Sequence, residues 1–319
     1  MILIFLLIIS FFSFLLTWIF LRIFIPNASK KLISIPDLRT SHDNPTPQGG
    51  GIPFIFIGFA IALLNPNYKF LLICIPIGII GLLDDFFKIN PLIRYIFQVS
   101  TAIYLVSTGG INYENLINKE GAIVYLILSF LMIFCTSIIN FINFMDGLDG
   151  LVTLNLIIFF LVVSIDAHIY FLPLITTLFG FLIWNWSPAK VFMGDVGSTF
   201  LGAVVVGVIL QKENLSDSFF LMLVLTPLLV DPFICVIRRF FAGQNIFRPH
   251  KLHLYQRLHQ AGWTHSKVAI VYAIGTLILG ILFLFKSYKL LIIATFIEIL
   301  FGIYLDKKNA ISFNNLIRN

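Results

Sequence analysis

Long apolar stretches, separated by short segments rich in Gly, Pro, Asn and charge, recur along the whole chain. Bounded at those breaks, they predict eleven helices near 2–25, 52–64, 69–83, 92–108, 121–139, 152–165, 168–184, 198–210, 217–237, 267–285 and 288–305. Runs such as 52–64, 152–165 and 198–210 are shorter than the ~20 residues of an independent span. They must lie against other helices or be completed by flanking polar residues. The first run, Ile2 to Ile25, has no charged start and exceeds the ~7–15 residue apolar core of a cleaved signal, so it is expected to remain as a helix. No water-soluble module fits between the runs. Residues 1–319 are therefore read as one integral membrane domain, an all-α polytopic bundle of about 10–11 transmembrane helices.

Composition agrees: 59% of residues are hydrophobic and 11% charged, where soluble domains carry about 25% charge. The net charge of +6 is read as a topology signal rather than as the mark of a nucleic-acid partner. Threading the chain with its N-terminus outside puts sixteen of the 21 Lys and Arg on one side, against Lys69, Lys119, Lys212, Lys286 and Lys289 on the other. The positive-inside rule then orients the protein N-out and C-in, as a multi-pass protein of the cell (inner) membrane. Cys74, Cys135 and Cys235 sit in apolar runs without metal-ligand spacing and are expected to be free core residues.

The same threading sorts the acids. Asp84, Asp85, Asp146, Asp149 and Asp195 fall at cytoplasmic helix ends, while Glu114, Glu120, Asp166, Glu213 and Asp217 fall in outer loops and read as solvated residues. Carboxylates at a membrane boundary are costly unless paired, metal-bound or chemically employed.

Four constellations surround the inner acids. Asp84-Asp85-Phe86-Phe87-Lys88 closes a helix, with Lys88 able to lean on either acid and the two acids repelling one another; it also reads as a charged helix end reaching water. In Asn140-Phe-Ile-Asn143-Phe-Met-Asp146-Gly-Leu-Asp149-Gly150, polar groups recur every three positions and offer hard oxygens suited to Mg²⁺; the plainer reading is an Asx-rich turn. Asn185, followed by Phe192-Met193-Gly194-Asp195-Val196-Gly197-Ser198, places an acid just before a helix, as a cap or as a cation ligand. The loop from Arg238 to His265 holds five Arg/Lys and four of the six histidines, including His250-Lys251-Leu252-His253, and no acid. It suits a diphosphate or an anionic lipid surface. A further inner segment, Asp37-Leu38-Arg39-Thr40-Ser41-His42 running into Pro45-Thr46-Pro47-Gln48-Gly49-Gly50-Gly51, is a linker by default and a candidate phosphate-pocket lining.

Taken together and in this order, the motifs resemble the polyprenyl-phosphate N-acetylhexosamine-1-phosphate transferase superfamily, glycosyltransferase family 4. The resemblance implies a catalytic set of Asp84, Asp85, Asp146 and Asp149, with Asp84 favoured as base or phosphate-positioning group. It implies a Mg²⁺ site at Asn143 and Asp195, with Mn²⁺ as the alternative ion, and substrate contacts at Arg39, His42, Lys88, Arg94, Asn140, Asn185, His250, Lys251 and His253. The implied substrates are a UDP-N-acetylhexosamine and undecaprenyl (polyprenyl) phosphate. UMP is released and a lipid-linked envelope glycan begins, among membrane lipids and with a homodimer left open. Two departures, His250-Lys251-Leu252-His253 for a His-His pair and Pro47-Gln48-Gly49-Gly50 for Pro-Thr-Met-Gly-Gly, look more like the O-antigen and capsule-initiating members. The rival class is a secondary transporter, favoured by one acid, Asp231, inside a helix.

Overall fold

A computed structural model describes residues 2–36, 44–110, 122–166, 169–246, 248 and 250–317. Its helices are α1 (Ile2–Asn27), α2 (Ile52–Leu64), α3 (Phe70–Phe87), α4 (Pro91–Ser107), α5 (Ala122–Met145), α6 (Leu151–Asp166), α7 (Leu172–Asn185) and α8 (Gly194–Leu210). They continue as α9 (Leu215–Leu223), α10 (Thr226–Phe241), α11 (Leu254–Gln260), α12 (His265–Leu284), α13 (Tyr288–Lys308) and α14 (Phe313–Ile317). The only strand pairing among the described residues joins Ile33–Ser34 to Thr46–Pro47, antiparallel, so the fold is all-α.

Each apolar run became helix, with one correction. The run 217–237 is two helices, α9 and α10, that meet at 83°. Pro227 at the start of α10 explains the break: it has no amide hydrogen to continue the preceding ladder. By length and apolarity, α1, α3, α5, α12 and α13 can each cross a membrane, and the bent α9–α10 pair has the form of a broken span or a re-entrant loop. The shorter α2, α6, α7 and α8 are apolar but under 18 residues. α8 is also the most enclosed, with every residue from Val196 to Leu210 buried. Outward faces are the reverse: Ile4, Phe11 and Leu16 on α1 and Phe296 and Ile297 on α13 are more than half exposed, as lipid-facing side chains must be.

Helix ends differ from the sequence reading where it matters most. α3 runs on to Phe87 and so carries Asp84 and Asp85 within its last turn. α5 runs on to Met145 and lifts Asn140 and Asn143 onto a rigid element, and α8 begins at Gly194, so Asp195 lies in its first turn. These ends, with the starts of α4 and α12, all meet at one end of the bundle. At the other end Asp166 is no solvated loop acid. It is largely buried and paired to Lys212 (2.5 Å) and Lys286 (2.6 Å). Glu114 and Glu120 lie outside the described residues.

Candidate active site

The junction of α3 with α8 builds the site. A side chain at Gly81 would put its Cβ 2.4 Å from the Asp195 carbonyl, so only glycine lets the two backbones approach this closely. That approach brings the Asp85 carboxylate onto the start of α8, where it accepts the backbone N–H of Asp195 (3.0 Å) and of Val196 (3.2 Å). Asp85 thus caps a helix 110 residues away, filling two of the orphan donors every helix start presents. Gly194, in the left-handed region (φ +75°), makes room: a Cβ there would sit 2.4 Å from Asp85 Oδ2.

Asp84 does different work. Its Oδ1 accepts Ile89 N–H (2.7 Å), fixing the turn out of α3, while Oδ2 meets Arg94 Nη1 at 2.5 Å. The same Arg94 nitrogen lies 2.7 Å from Asp195 Oδ2. Asn143, from the end of α5, donates through Nδ2 to Asp195 Oδ1 (2.9 Å) and to Ser198 Oγ (2.8 Å). Asp84, Arg94, Asn143 and Asp195 therefore form one hydrogen-bonded set drawn from four helices.

Beside it opens a cavity of about 230 Å³, lined by Asp85, Lys88, Asn143, Asp146, Asp149 and Asp195 together with Ser34, Gln48, Gln256 and His265. Asp146 accepts no hydrogen bond among the described residues. Burial, reinforced by Asp195, Asp85 and Asp149, pushes its carboxyl well above the usual carboxylate range. Asp149 goes the other way. Burial raises it, but the hydrogen bond and charge of His265, with the Ala189 N–H (3.1 Å), hold it below its ordinary value. His265 Nδ1 is 3.1 Å from Asp149 Oδ2, and its Nε2 is 3.3 Å from His259 Nε2.

The other sequence candidates divide. Lys88 caps α3 in a left-handed conformation and is exposed at the rim of the cavity. Asn140 lies one turn before Asn143, its amide exchanged with that of Gln98 (2.9 and 3.0 Å). Asn185 is a buried strut: its Oδ1 accepts from Gly150 N–H and Thr153 Oγ1, and its Nδ2 donates to the Val191 carbonyl, all at 3.0 Å. His250, Lys251 and His253 do not line the cavity. Burial, with the neighbouring guanidinium of Arg239, lowers both imidazoles to about 3, leaving them uncharged. Arg39 and His42 lie outside the described residues. The glycine segment proves to be ordered, with Gly50 and Gly51 donating to the carbonyls of Phe192 and Met193 at 2.9 Å.

Sequence reasoning missed Gln256 and His265 as cavity residues. The signal was the histidine density of the last loop, but which histidine faces the acids depends on α11, a helix of seven residues with no apolar run of its own. Asp231, the residue that favoured a transporter, is a second cap in trans. It accepts Leu254 N–H (2.7 Å), Tyr255 N–H (3.0 Å) and Tyr272 Oη–H (2.7 Å), which fully employs a buried carboxylate.

Fold and site together define a polytopic helical membrane protein with a carboxylate-lined cavity at one end. The model of glycosyl transferase family 4 matches residues 68–212, which include every helix of the hydrogen-bonded set. Over 274 residues the chain is 31% identical to the phospho-N-acetylmuramoyl-pentapeptide-transferase of Carboxydothermus hydrogenoformans, covering 73% of this chain and 82% of that protein. It is 28% identical over 265 residues to a probable undecaprenyl-phosphate N-acetylglucosaminyl 1-phosphate transferase of Bacillus subtilis, covering 75% and 73%. It is also 28% identical over 289 residues to a decaprenyl-phosphate N-acetylglucosaminephosphotransferase of Mycobacterium tuberculosis, covering 75% and 72%. The chain belongs to glycosyl transferase family 4, the polyprenyl-phosphate N-acetylhexosamine-1-phosphate transferases.

Proposed function

We propose that this protein transfers an N-acetylhexosamine-1-phosphate from a UDP-sugar to undecaprenyl or another polyprenyl phosphate, releasing UMP and starting a lipid-linked envelope glycan. The observation that carries the reading is the convergence of Asp84, Arg94, Asn143 and Asp195 into one hydrogen-bonded set beside the acidic cavity, which Asn143 and Asp195 also line. The lipid phosphate enters at the rim, where exposed Lys88 meets its charge and Asp84 orients the attacking oxygen and takes its proton when it carries one. That oxygen bonds to the sugar-proximal phosphorus, the bond to the bridging oxygen breaks, and UMP leaves with the electron pair. Arg94, held at a fixed point by two carboxylates, faces the developing charge without having to reorganise.

The donor set fits a hard divalent cation. Four carboxylates, Asp85, Asp146, Asp149 and Asp195, line the cavity with Lys88 as its one Lys or Arg among the described residues, and among those residues Asp146 has no donor of its own. Asp195, Asn143 and Asp146 would hold Mg²⁺, which supplies charge neutralisation to the diphosphate. The excess of Lys and Arg on the acidic side of the threading supports a cytoplasmic site, where UDP-sugars are found.

The test is purified protein in nanodiscs with undecaprenyl phosphate, Mg²⁺ and a panel of UDP-N-acetylhexosamines. The expected outcome is UMP release that requires the lipid, with a lipid-diphosphate-sugar product identified by mass. Release at the unmutated rate in both Asp84→Asn and Asp195→Asn would overturn the residue assignments. No product with any donor would overturn the reaction.

A further inference from the structure

The loop between α10 and α12 keeps two of its histidines out of the acidic cavity and brings them beside a thiol. Cys235, on α10, and His250 and His253, in the loop, bring one sulfur and one nitrogen each to within 4.8 Å of one another. Cys235 and His253 are each 3% exposed, and His250 is half-buried. His253 Nδ1 is sealed from solvent and has no hydrogen-bond partner among the described residues; the Gln256 N–H of the α11 capping box is turned to this side chain without closing a hydrogen bond on it. Its nearest charged oxygen, Asp231 Oδ1, is 3.9 Å away and already accepts Leu254 N–H. Buried ring nitrogens are rarely left this way, and an imidazole with an unmet nitrogen that has a thiol and a second imidazole within 4.8 Å points to something bound among the three. His250 uses its Nδ1 to accept Leu252 N–H (3.2 Å), leaving Nε2 for a ligand.

We propose that Cys235, His250 and His253 form a binding site for a borderline-soft divalent cation of the zinc class. One thiolate and two neutral imidazoles are the donors such a cation prefers. Mg²⁺, which takes oxygen, would not compete there. With metal–sulfur near ~2.3 Å and metal–nitrogen near ~2.0 Å, the three atoms must draw together by about an ångström, within reach of side-chain rotation. The Cys235 proton leaves to solvent on binding, and the thiolate and nearby Asp231 offset the cation. Arg239, also close by, has its guanidinium turned to the carbonyls of Asn245, Ile246 and Arg248.

The site's role is mechanical. His253 is the first residue of the turn into α11, and α11 carries Gln256, which lines the acidic cavity, and Tyr255, whose hydroxyl donates to the Phe144 carbonyl (2.9 Å). A cation at His253 ties that wall of the cavity to α10.

The experiment uses the full chain, purified without chelator on a tag that contains no histidine. Elemental analysis should find about one zinc per chain. After exchange into Co²⁺, the thiolate-to-cobalt charge-transfer band and the visible bands of a four-coordinate site should appear, and both should vanish in Cys235→Ser and in His253→Asn. Because either variant can misfold, the zinc absorption edge of the unmutated protein gives a second reading, with a single sulfur scatterer beside nitrogens expected. Protein that takes up neither Zn²⁺ nor Co²⁺ overturns the proposal. So does bound metal with no sulfur ligand, or a charge-transfer band that persists undiminished in a folded Cys235→Ser protein.

Discussion

The carboxylate of Asp85 lies 3.0 Å from the backbone nitrogen of Asp195 and so closes the helix on which Asp195 stands. A residue that reads as half of a catalytic acid pair is held in place by structural duty. Replacing Asp85 with Ala strips two buried N–H groups of their acceptor and should cost about 2–3 kcal/mol of stability. Asn keeps one acceptor oxygen and should cost about 1 kcal/mol. Thermal unfolding in detergent checks the order. In the transfer assay Asp85→Asn should retain more activity than Asp84→Asn, and the opposite ranking would move the base role from Asp84 to Asp85.

Both contacts of Arg94 run through a single nitrogen, Nη1. A Lys ammonium can occupy that one point, whereas Ala leaves Asp84 and Asp195 facing each other unscreened. Arg94→Ala should lose about a hundredfold or more in turnover, and Arg94→Lys should keep a measurable part of it. Equal loss in both would mean that the second guanidinium nitrogen does the binding.

Asp146 gives a pH and metal signature. Its carboxyl is raised in the folded protein, so folding favours the protonated form. The stability cost begins as pH rises above the ordinary carboxylate value of about 3.9 and grows until the folded value is reached. Asp146→Asn should therefore raise the unfolding temperature at neutral pH without Mg²⁺ and flatten its pH dependence. Mg²⁺ should stabilise the unmutated protein and leave the variant nearly unchanged, as titration in a scanning fluorimeter would report. A full Mg²⁺ shift in Asp146→Asn would remove this residue from the metal site.

Gly81→Ala introduces a methyl 2.4 Å from the Asp195 carbonyl. Forced apart there, α3 and α8 lose the cap as well as the contact, for a cost of about 1–3 kcal/mol. Activity should fall further than stability accounts for, because Asp84 and Asp195 separate together. Turnover measured well below the unfolding temperature distinguishes the two effects.

Tyr272→Phe removes one of three donors to Asp231 and should cost about 1 kcal/mol, whereas Asp231→Ala frees the start of α11 altogether. Proteolysis between α10 and α12 should rise sharply only in the second. A transport role for Asp231 predicts the reverse, with both variants folding normally.

What the sequence made legible follows from the range of the interactions. Apolar runs locate helices because lipid demands them locally, and ten of the eleven runs became single helices. The α9–α10 break escaped because Leu223 to Leu225 is as apolar as what flanks it, and only Pro227 marked it. The motif strings singled out Asp84, Asn143 and Asp195, and the fold joins the three in one hydrogen-bonded set through Arg94, which no motif string contains. Sequence could not show that Asp85 and Asp231 spend their charge on helix starts 110 and 23 residues away, since a cap in trans leaves no spacing to read. Nor could it show that His250 and His253 turn to Cys235 while His265 turns to Asp149, a choice made by the path of α11.

Asp166 acquires a further meaning from its place about 24 Å along α6 from the acidic end. Lys212 follows α8 and Lys286 links α12 to α13, so one carboxylate fastens three parts of the bundle at the end remote from chemistry. That end is a clasp, and Asp166→Asn would release α6, the end of α8 and the α12–α13 link from one another while leaving the acidic cavity's own contacts in place.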